Sequence, residues 1–142
     1  MVRFTKATTC LAFVVLIACL GFTGCAGKKI MPGEIVPCVP EAKLEKKSSP
    51  EAAIEDLSCT LKKWEGSDTL HFNITIKNIS SQPQRYRVHI FLDNGKAVGG
   101  LIPRKTKKGL VEPGASASFE YPVKGMTCLP KSLTVVVKTM QP

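Results

Sequence analysis

Two stretches of this chain alternate between apolar and polar side chains, and they constrain its fold more than any other feature. Every second residue from Leu70 to Ile76 is apolar, and a similar alternation runs through residues 85–92. A period of two is typical of β-strands with one buried and one solvated face. The sequence therefore predicts amphipathic strands that pack around a shared core.

Turn signals separate these strands from further candidates. Asn94-Gly95 favours a two-residue primed turn between hairpin strands, and Pro113-Gly114 fits the centre of a type II turn. The other predicted strands are residues 57–64, 97–102, 115–121 and 132–139. Six or seven short strands without an amphipathic helix predict an all-β fold, a single small antiparallel Ig-like β-sandwich.

The first residues have the order of an export signal. Arg3 and Lys6 precede an apolar stretch, residues 11–20, and small residues then surround Cys25. This pattern predicts a signal peptide over residues 1–24 that is removed on export. Residues 25–53 are predicted to form a lipidated N-terminus and flexible linker, because Pro32, Pro37, Pro40 and Pro50 and a charged run at 41–47 punctuate a segment with few apolar residues. Residues 54–142 are left for the folded domain.

The junction Phe22-Thr23-Gly24-Cys25 resembles the lipobox of bacterial lipoproteins. The resemblance implies a diacylglyceryl thioether on Cys25, an acylated (palmitate-bearing) N-terminus and a place in the bacterial cell envelope, with the domain on the periplasmic or extracellular side. Ala26, rather than Asp, after that cysteine is similar to the pattern that sorts lipoproteins to the outer membrane.

Two alternatives to lipidation at Cys25 stay open. Leu16-Ile17-Ala18-Cys19 also matches the lipobox, so Cys19 is the second candidate for the lipid. Residues 7–27 are uncharged and about as long as the roughly 20 residues of a transmembrane span, so an uncleaved single-pass anchor is the other.

The cysteines predict one disulfide. Of the six, Cys10 and Cys19 leave with the signal and Cys25 takes the lipid, which leaves three. We expect Cys59 and Cys128 to pair, because the first and last strands of a small sandwich are often close. A bridge from Cys38 to Cys128 is the main competitor.

The chain is basic, and its charge is concentrated in one segment. The formal charge is +9, and the loss of Arg3 and Lys6 leaves +7. The segment of residues 104–108 contains Arg104, Lys105, Lys107 and Lys108, a candidate patch for an anionic partner. For an exported protein that partner is an anionic lipid, an envelope polymer or another envelope protein, and not nucleic acid.

No constellation of residues predicts catalysis or a cofactor. His71 and His89 are the only histidines, and the strand pattern puts each on the solvated face of a strand in a different sheet. No nucleophile and base, metal-ligand set or phosphate-binding loop follows from the spacing. The sequence therefore predicts a non-enzymatic protein without a metal or cofactor.

A second resemblance covers about residues 69–121. Asn78-Ile79-Ser80, the run from Phe91 to Gly99, and Glu112-Pro113-Gly114 are similar to the FxLYD-like, Ig-like domains of exported bacterial lipoproteins. Phe91-Leu92-Asp93 stands where those domains have Phe-x-Leu-Tyr-Asp. The resemblance implies a membrane-anchored envelope lipoprotein that acts as a binding or accessory module. An envelope enzyme with an unrecognised site is the alternative.

Overall fold

The computed structural model describes residues 27–104 and 109–140. Within them the chain forms eight β-strands and a short 3-10 helix, Glu41–Lys43. In chain order the strands are β1 (Ile35–Pro37), β2 (Leu44–Ser48), β3 (Ala52–Trp64), β4 (Ser67–Asn78), β5 (Arg85–Leu92), β6 (Ala97–Ile102), β7 (Ser116–Val123) and β8 (Leu133–Met140). The predicted signal peptide, residues 1–24, lies outside the described residues.

The strands form two sheets of four. One has the order β1-β3-β4-β7 and the other the order β2-β8-β5-β6. The prediction of a small all-β sandwich is confirmed. It was predicted as antiparallel throughout, and that is wrong for one pair, because β2 runs parallel to β8 with Leu44 opposite Leu133.

From β3 to β8 the connections follow the order of an immunoglobulin domain. In that fold the first two strands share a sheet and the chain then crosses to the other sheet. Here β3 and β4 share one sheet, the chain crosses to β5 and β6 of the other, and β7 and β8 then join the first and the second sheet in turn. β1 and β2 are further edge strands on these two sheets.

The core lies between the sheets and follows the predicted alternation. Leu70, Phe72, Ile74 and Ile76 of β4 are fully buried. From the opposite sheet the buried residues that face them are Tyr86, Val88 and Ile90 of β5 and Leu133, Val135 and Val137 of β8. The period-two pattern was therefore a sound guide to the central strands.

The hairpin turns differ from prediction in one respect. Gly95 donates to the carbonyl of Leu92 and has φ +81°, while Asn94 keeps a negative φ. Residues 93–95 thus form a three-residue loop with glycine in the left-handed region, not the predicted two-residue primed turn. The primed turn occurs instead between β3 and β4, where Glu65 and Gly66 have φ of 49° and 82°. The type II turn at Pro113-Gly114 is confirmed, since Ala115 donates to Glu112 and Gly114 has φ +77°.

The predicted linker is wrong, because most of residues 25–53 belong to the sandwich. The chain joins the domain at Lys28, whose carbonyl accepts the Leu129 amide at 3.0 Å. β1 is then an edge strand of one sheet, and β2 is an edge strand of the other. Cys38 is 2 % exposed and joins the core. The domain therefore includes Lys28, about 26 residues before the predicted start at Ile54.

The two ends of the sandwich carry different segments. At one end, the N-terminal end, residues 27–31 meet the β5–β6 loop, 93–96, and the β7–β8 connection, 124–131. At the other, the basic end, the β4–β5 connection meets residues 109–111 and Arg104 follows β6. β5 runs from one end to the other, and its eight residues span about 25 Å at 3.3 Å per residue.

Candidate functional site

An open groove lies between β6 and β7 at the basic end. β6 is the last strand of one sheet and β7 the last of the other, so their outer edges face each other. Ile102, Pro103 and Arg104 line one side of the groove, and Ala117, Ser118 and Phe119 line the other. Its volume is about 340 Å³. We call it the β6–β7 groove.

Arg104 stacks on an aromatic pair in this groove. Its guanidinium carbon lies 4.2 Å from the centroid of the Phe119 ring. The Phe119 ring in turn lies 4.3 Å from that of Tyr121, at an interplanar angle of 37°. A guanidinium over an aromatic face is held by the ring quadrupole and keeps its N–H groups at the edge for a carboxylate or phosphate.

The Tyr121 hydroxyl lacks a partner. Tyr121 is 4 % exposed, and its oxygen makes no hydrogen bond within the described part of the chain. Burial raises the pKa of Tyr121, and the charge of Arg104 offsets this only in part. The phenol therefore stays protonated at physiological pH and can donate one hydrogen bond.

Glycines on β6 leave space beside Tyr121. A Cβ on Gly100 would lie 3.4 Å from Tyr121 Cε1. Tyr121, Gly99 and Gly100, with Arg87 and His89 from β5, line a second depression of about 440 Å³. Tyr121 thus lines this second depression together with Arg87, while its ring contacts that of Phe119 in the wall of the β6–β7 groove.

Of the four residues of the predicted basic patch, only Arg104 is among the described residues. Arg104 is exposed and forms the wall of the β6–β7 groove. Lys105, Lys107 and Lys108 lie outside the described residues. The Arg85 guanidinium donates to the carbonyl of Gly109, the residue that follows the basic segment, at 3.1 Å.

The predicted disulfide between Cys59 and Cys128 is wrong. Cys59 bonds Cys38, with a Cα–Cα distance of 4.9 Å. The reason is the pairing of β1 with β3, which sets Val36 opposite Cys59 and brings the next residues of the chain over it. The same bond rules out the competing Cys38–Cys128 bridge. Cys128 is also disulfide-bonded, and its partner is outside the described residues, where the chain has Cys10, Cys19 and Cys25. Cys25 and Cys19 lie outside the described residues.

The two histidines point away from each other, as predicted, but His71 is not a surface residue. It is 5 % exposed, and its Nδ1 lies 2.9 Å from the Thr69 carbonyl oxygen. Glu120 of β7 accepts from Lys62 of β3 at 3.0 Å, and this ion pair spans β4 beside His71. The solvated face of β4 is therefore covered at this position by its neighbours. His89 is half-buried and stacks on Phe91.

The rest of the described surface adds no metal site or membrane span. Within residues 27–104 and 109–140, no three His, Cys, Asp or Glu side chains are grouped so as to hold a metal ion. The same residues include no helix long and apolar enough to cross a membrane.

Sequence reasoning missed Phe119 and Tyr121 as site residues. Their alternation with Ser118 and Glu120 marked them as core, and both do face inward. They border a groove only because β7 is an edge strand beside the glycines of β6. No protein-family model, curated protein or solved structure matches this chain.

Proposed function

We propose that the protein is an envelope lipoprotein, held in a bacterial membrane by a lipid on Cys25. Its β-sandwich acts as a non-enzymatic binding or accessory module on the periplasmic or extracellular side. The outer membrane is favoured over the inner because Ala26 follows the cysteine. The anchor rests on the lipobox-like junction. The Cys38–Cys59 disulfide supports an oxidising compartment, where such bonds persist.

Metabolic labelling with palmitate tests the anchor. The wild-type protein and Cys19→Ala should take up the label and float with membranes, whereas Cys25→Ala should do neither. Label that is lost in Cys19→Ala and kept in Cys25→Ala would move the lipid to Cys19. Absence of label from all three, with residues 1–24 retained, would replace the lipid by an uncleaved span.

The proposed binding site is the β6–β7 groove. The observation that carries this proposal is the stack of Arg104 on Phe119 next to a buried phenol donor without a partner. An anionic group in the groove could accept from Arg104, and the neighbouring Lys105, Lys107 and Lys108 would add attraction along a chain of negative charges. We therefore propose an anionic envelope polymer as the partner, with an acidic surface of another envelope protein as the competing ligand.

Binding to a soluble polyuronate such as alginate tests this site in the mature protein. Arg104→Ala and Phe119→Ala should each weaken binding about tenfold, and raised salt should weaken wild-type binding further. Lys77→Ala is the matched control, because Lys77 is a cation of β4 that lies close to Glu55 on the outer face. Equal binding by wild type and both groove variants would contradict the site. Loss in Lys77→Ala as well would indicate non-specific attraction to a basic protein.

A further inference from the structure

The first described residues, 27–29, contact residues 128 and 129 at the N-terminal end of the sandwich. Lys29 pairs with Cys128 as an antiparallel bridge next to the Lys28–Leu129 hydrogen bond. A Cβ on Gly27 would overlap the Leu129 carbonyl oxygen, so the backbones are in close contact. Cys25 precedes Gly27 by two residues, which can span at most about 7 Å. If Cys25 carries the lipid, as the proposed function requires, this end of the domain is held at the headgroups.

Hydrogen bonds tie the loops at this end into one surface. Asp93 accepts the Lys131 amide at 2.9 Å, which joins the β5–β6 loop to the β7–β8 connection. The Lys96 ammonium donates to the Lys124 carbonyl, also at 2.9 Å. These contacts make the surface a fixed part of the sandwich and not a set of independent loops.

This surface is strongly basic. Residues 28–31, 93–96 and 124–131 contain five exposed lysines and one acidic residue, Asp93. The lysines are Lys28, Lys29, Lys96, Lys124 and Lys131. None of them forms an ion pair with another described residue. We call these five residues the lysine surface. Beside it, Met31 exposes 72 % of its area.

The outer face of β3, β4 and β7 is different. Its cations are matched by acids, with Lys62 paired to Glu120 and Lys77 to Glu55.

The acids at the N-terminal end are Asp93, Glu34, whose carboxylate accepts the Met31 amide at 3.2 Å, and Glu65 of the β3–β4 turn. Five lysines against these three acids leave a net positive charge at the end where the lipid would join the chain. Clustered lysines beside a lipid anchor are attracted to anionic headgroups within a Debye length, about 8 Å at physiological ionic strength. An exposed Met31 among them can enter the interface.

We propose that the lysine surface rests on anionic phospholipid headgroups of the leaflet that holds the lipid. This inference depends on the proposed anchor and adds an orientation to it. The N-terminal end faces the membrane, and the β6–β7 groove, at the other end of the sandwich, faces away from it. In this orientation the basic end, which carries the segment 104–108, is available to a partner in the envelope and does not bind the leaflet that holds the lipid.

Lysine footprinting of the lipidated protein tests the orientation. The protein is reconstituted in vesicles of phosphatidylcholine, with or without phosphatidylglycerol, and acetylated, and each lysine is read by mass spectrometry. We expect several-fold slower acetylation of the lysine surface in the anionic vesicles. Lys77 and Lys138, on strands towards the basic end, should react at the same rate in both and serve as internal controls.

A triple variant, Lys96→Ser with Lys124→Ser and Lys131→Ser, should still float with vesicles but lose the protection of Lys28 and Lys29. The matched control, Lys46→Ser with Lys47→Ser and Lys138→Ser, should keep it. Protein that floats without selective protection would overturn the orientation and leave the anchor intact. Protein that does not float would contradict the anchor and this inference together. Protection by soluble polyuronate but not by anionic vesicles would reassign the surface to a polymer.

Discussion

Asn78 joins several segments of the basic end through its side chain, in addition to its backbone bonds with Gly114 and Ala115. It is fully buried, and its amide nitrogen donates to the carbonyls of Gln82 and Val111 at 2.7 and 2.8 Å. Its amide oxygen accepts from the Ser80 backbone and hydroxyl groups. The Asn-Ile-Ser triplet is therefore a structural element here, in which one amide joins two connections of the chain.

Replacing the Asn78 side chain should lower the free energy of unfolding. Asn78→Ala leaves buried backbone groups without partners, so we expect a loss of about 3 kcal/mol in the free energy of unfolding. Asn73→Ala, on the half-exposed outer face of the same strand, should change it by less than about 0.5 kcal/mol. Urea denaturation measures both. A similar small effect for the two variants would show that water replaces the amide at residue 78.

Glu51 provides a pH-dependent contribution at the same scale. Thr139 donates to its carboxylate at 2.9 Å, and this hydrogen bond lowers the pKa of Glu51. A carboxyl whose pKa is lower in the folded state stabilises the fold above its unfolded pKa and loses that effect as the pH falls.

The melting temperature of Thr139→Val should therefore lie below that of the wild type at pH 7. The gap should narrow as the pH falls below about 4.3, where a free glutamate titrates, and on through the lower pKa that Glu51 has in the folded protein. Thr75→Val, which removes a hydrogen bond between two neutral hydroxyls, is the control and should show a gap that does not depend on pH. A constant gap for Thr139→Val would argue against the carboxylate contribution.

At the scale of elements, the edge strands explain why the linker was mispredicted. β1 contains Pro37, and β2 contains Lys46 and Lys47. Proline and lysine are also what natural edge strands use to block pairing with other chains. The same composition therefore suits a linker and a protected edge, and only pairing with β3 and β8 distinguishes them. Central strands are buried on their inner face along their whole length, so their alternation was sufficient to predict them.

The Cys38–Cys59 bond fastens β1 to β3 across 21 residues. Non-reducing peptide mapping should recover these two cysteines in one linked pair of peptides. Replacing both by alanine should lower the free energy of unfolding by about 3 kcal/mol on the chain-entropy estimate. Recovery of either cysteine as an alkylated thiol would contradict the pairing, and an unchanged stability would indicate that β1 holds its place without it.

The pairing of β6 with β5 depends on a close approach at Gly99. A Cβ there would overlap the Val88 carbonyl oxygen, whereas a Cβ on Gly100 would make ordinary contact with Tyr121. Gly99→Ala should therefore destabilise the fold by about 2 kcal/mol, because β6 must shift from β5. Gly100→Ala should have a smaller effect. Urea denaturation of the two variants compares them directly, and equal effects would contradict the contact with β5.

For the whole molecule, the period-two pattern predicted the strands of the two sheets but not which side chains meet at the sheet edges and at the ends of the sandwich. The strands 69–78 and 85–92 and the turn at 112–115 followed from local pattern and backbone preference. The stack of Arg104 on Phe119 and the lysine surface did not, because each joins segments from different strands or sheets. Their assembly depends on which strands form the edges, and no local signal in the sequence contains that information.

The ends of the sandwich thus have separate proposed roles, with attachment at the N-terminal end and recognition at the basic end. Both roles depend on the chemical state of Cys25, because a thiol that carries a lipid cannot also form a disulfide. The competing state is a bond from Cys25 to Cys128, since Cys10 and Cys19 leave with residues 1–24 and Cys38 is bonded to Cys59. Mass spectrometry of the mature N-terminal peptide from native membranes measures that state directly. We predict a chain that begins at Cys25, with a diacylglyceryl thioether on its sulfur and an acyl group on its amine. A chain that retains residues 1–24, or one in which Cys25 is recovered in a disulfide-linked peptide without lipid, would contradict it.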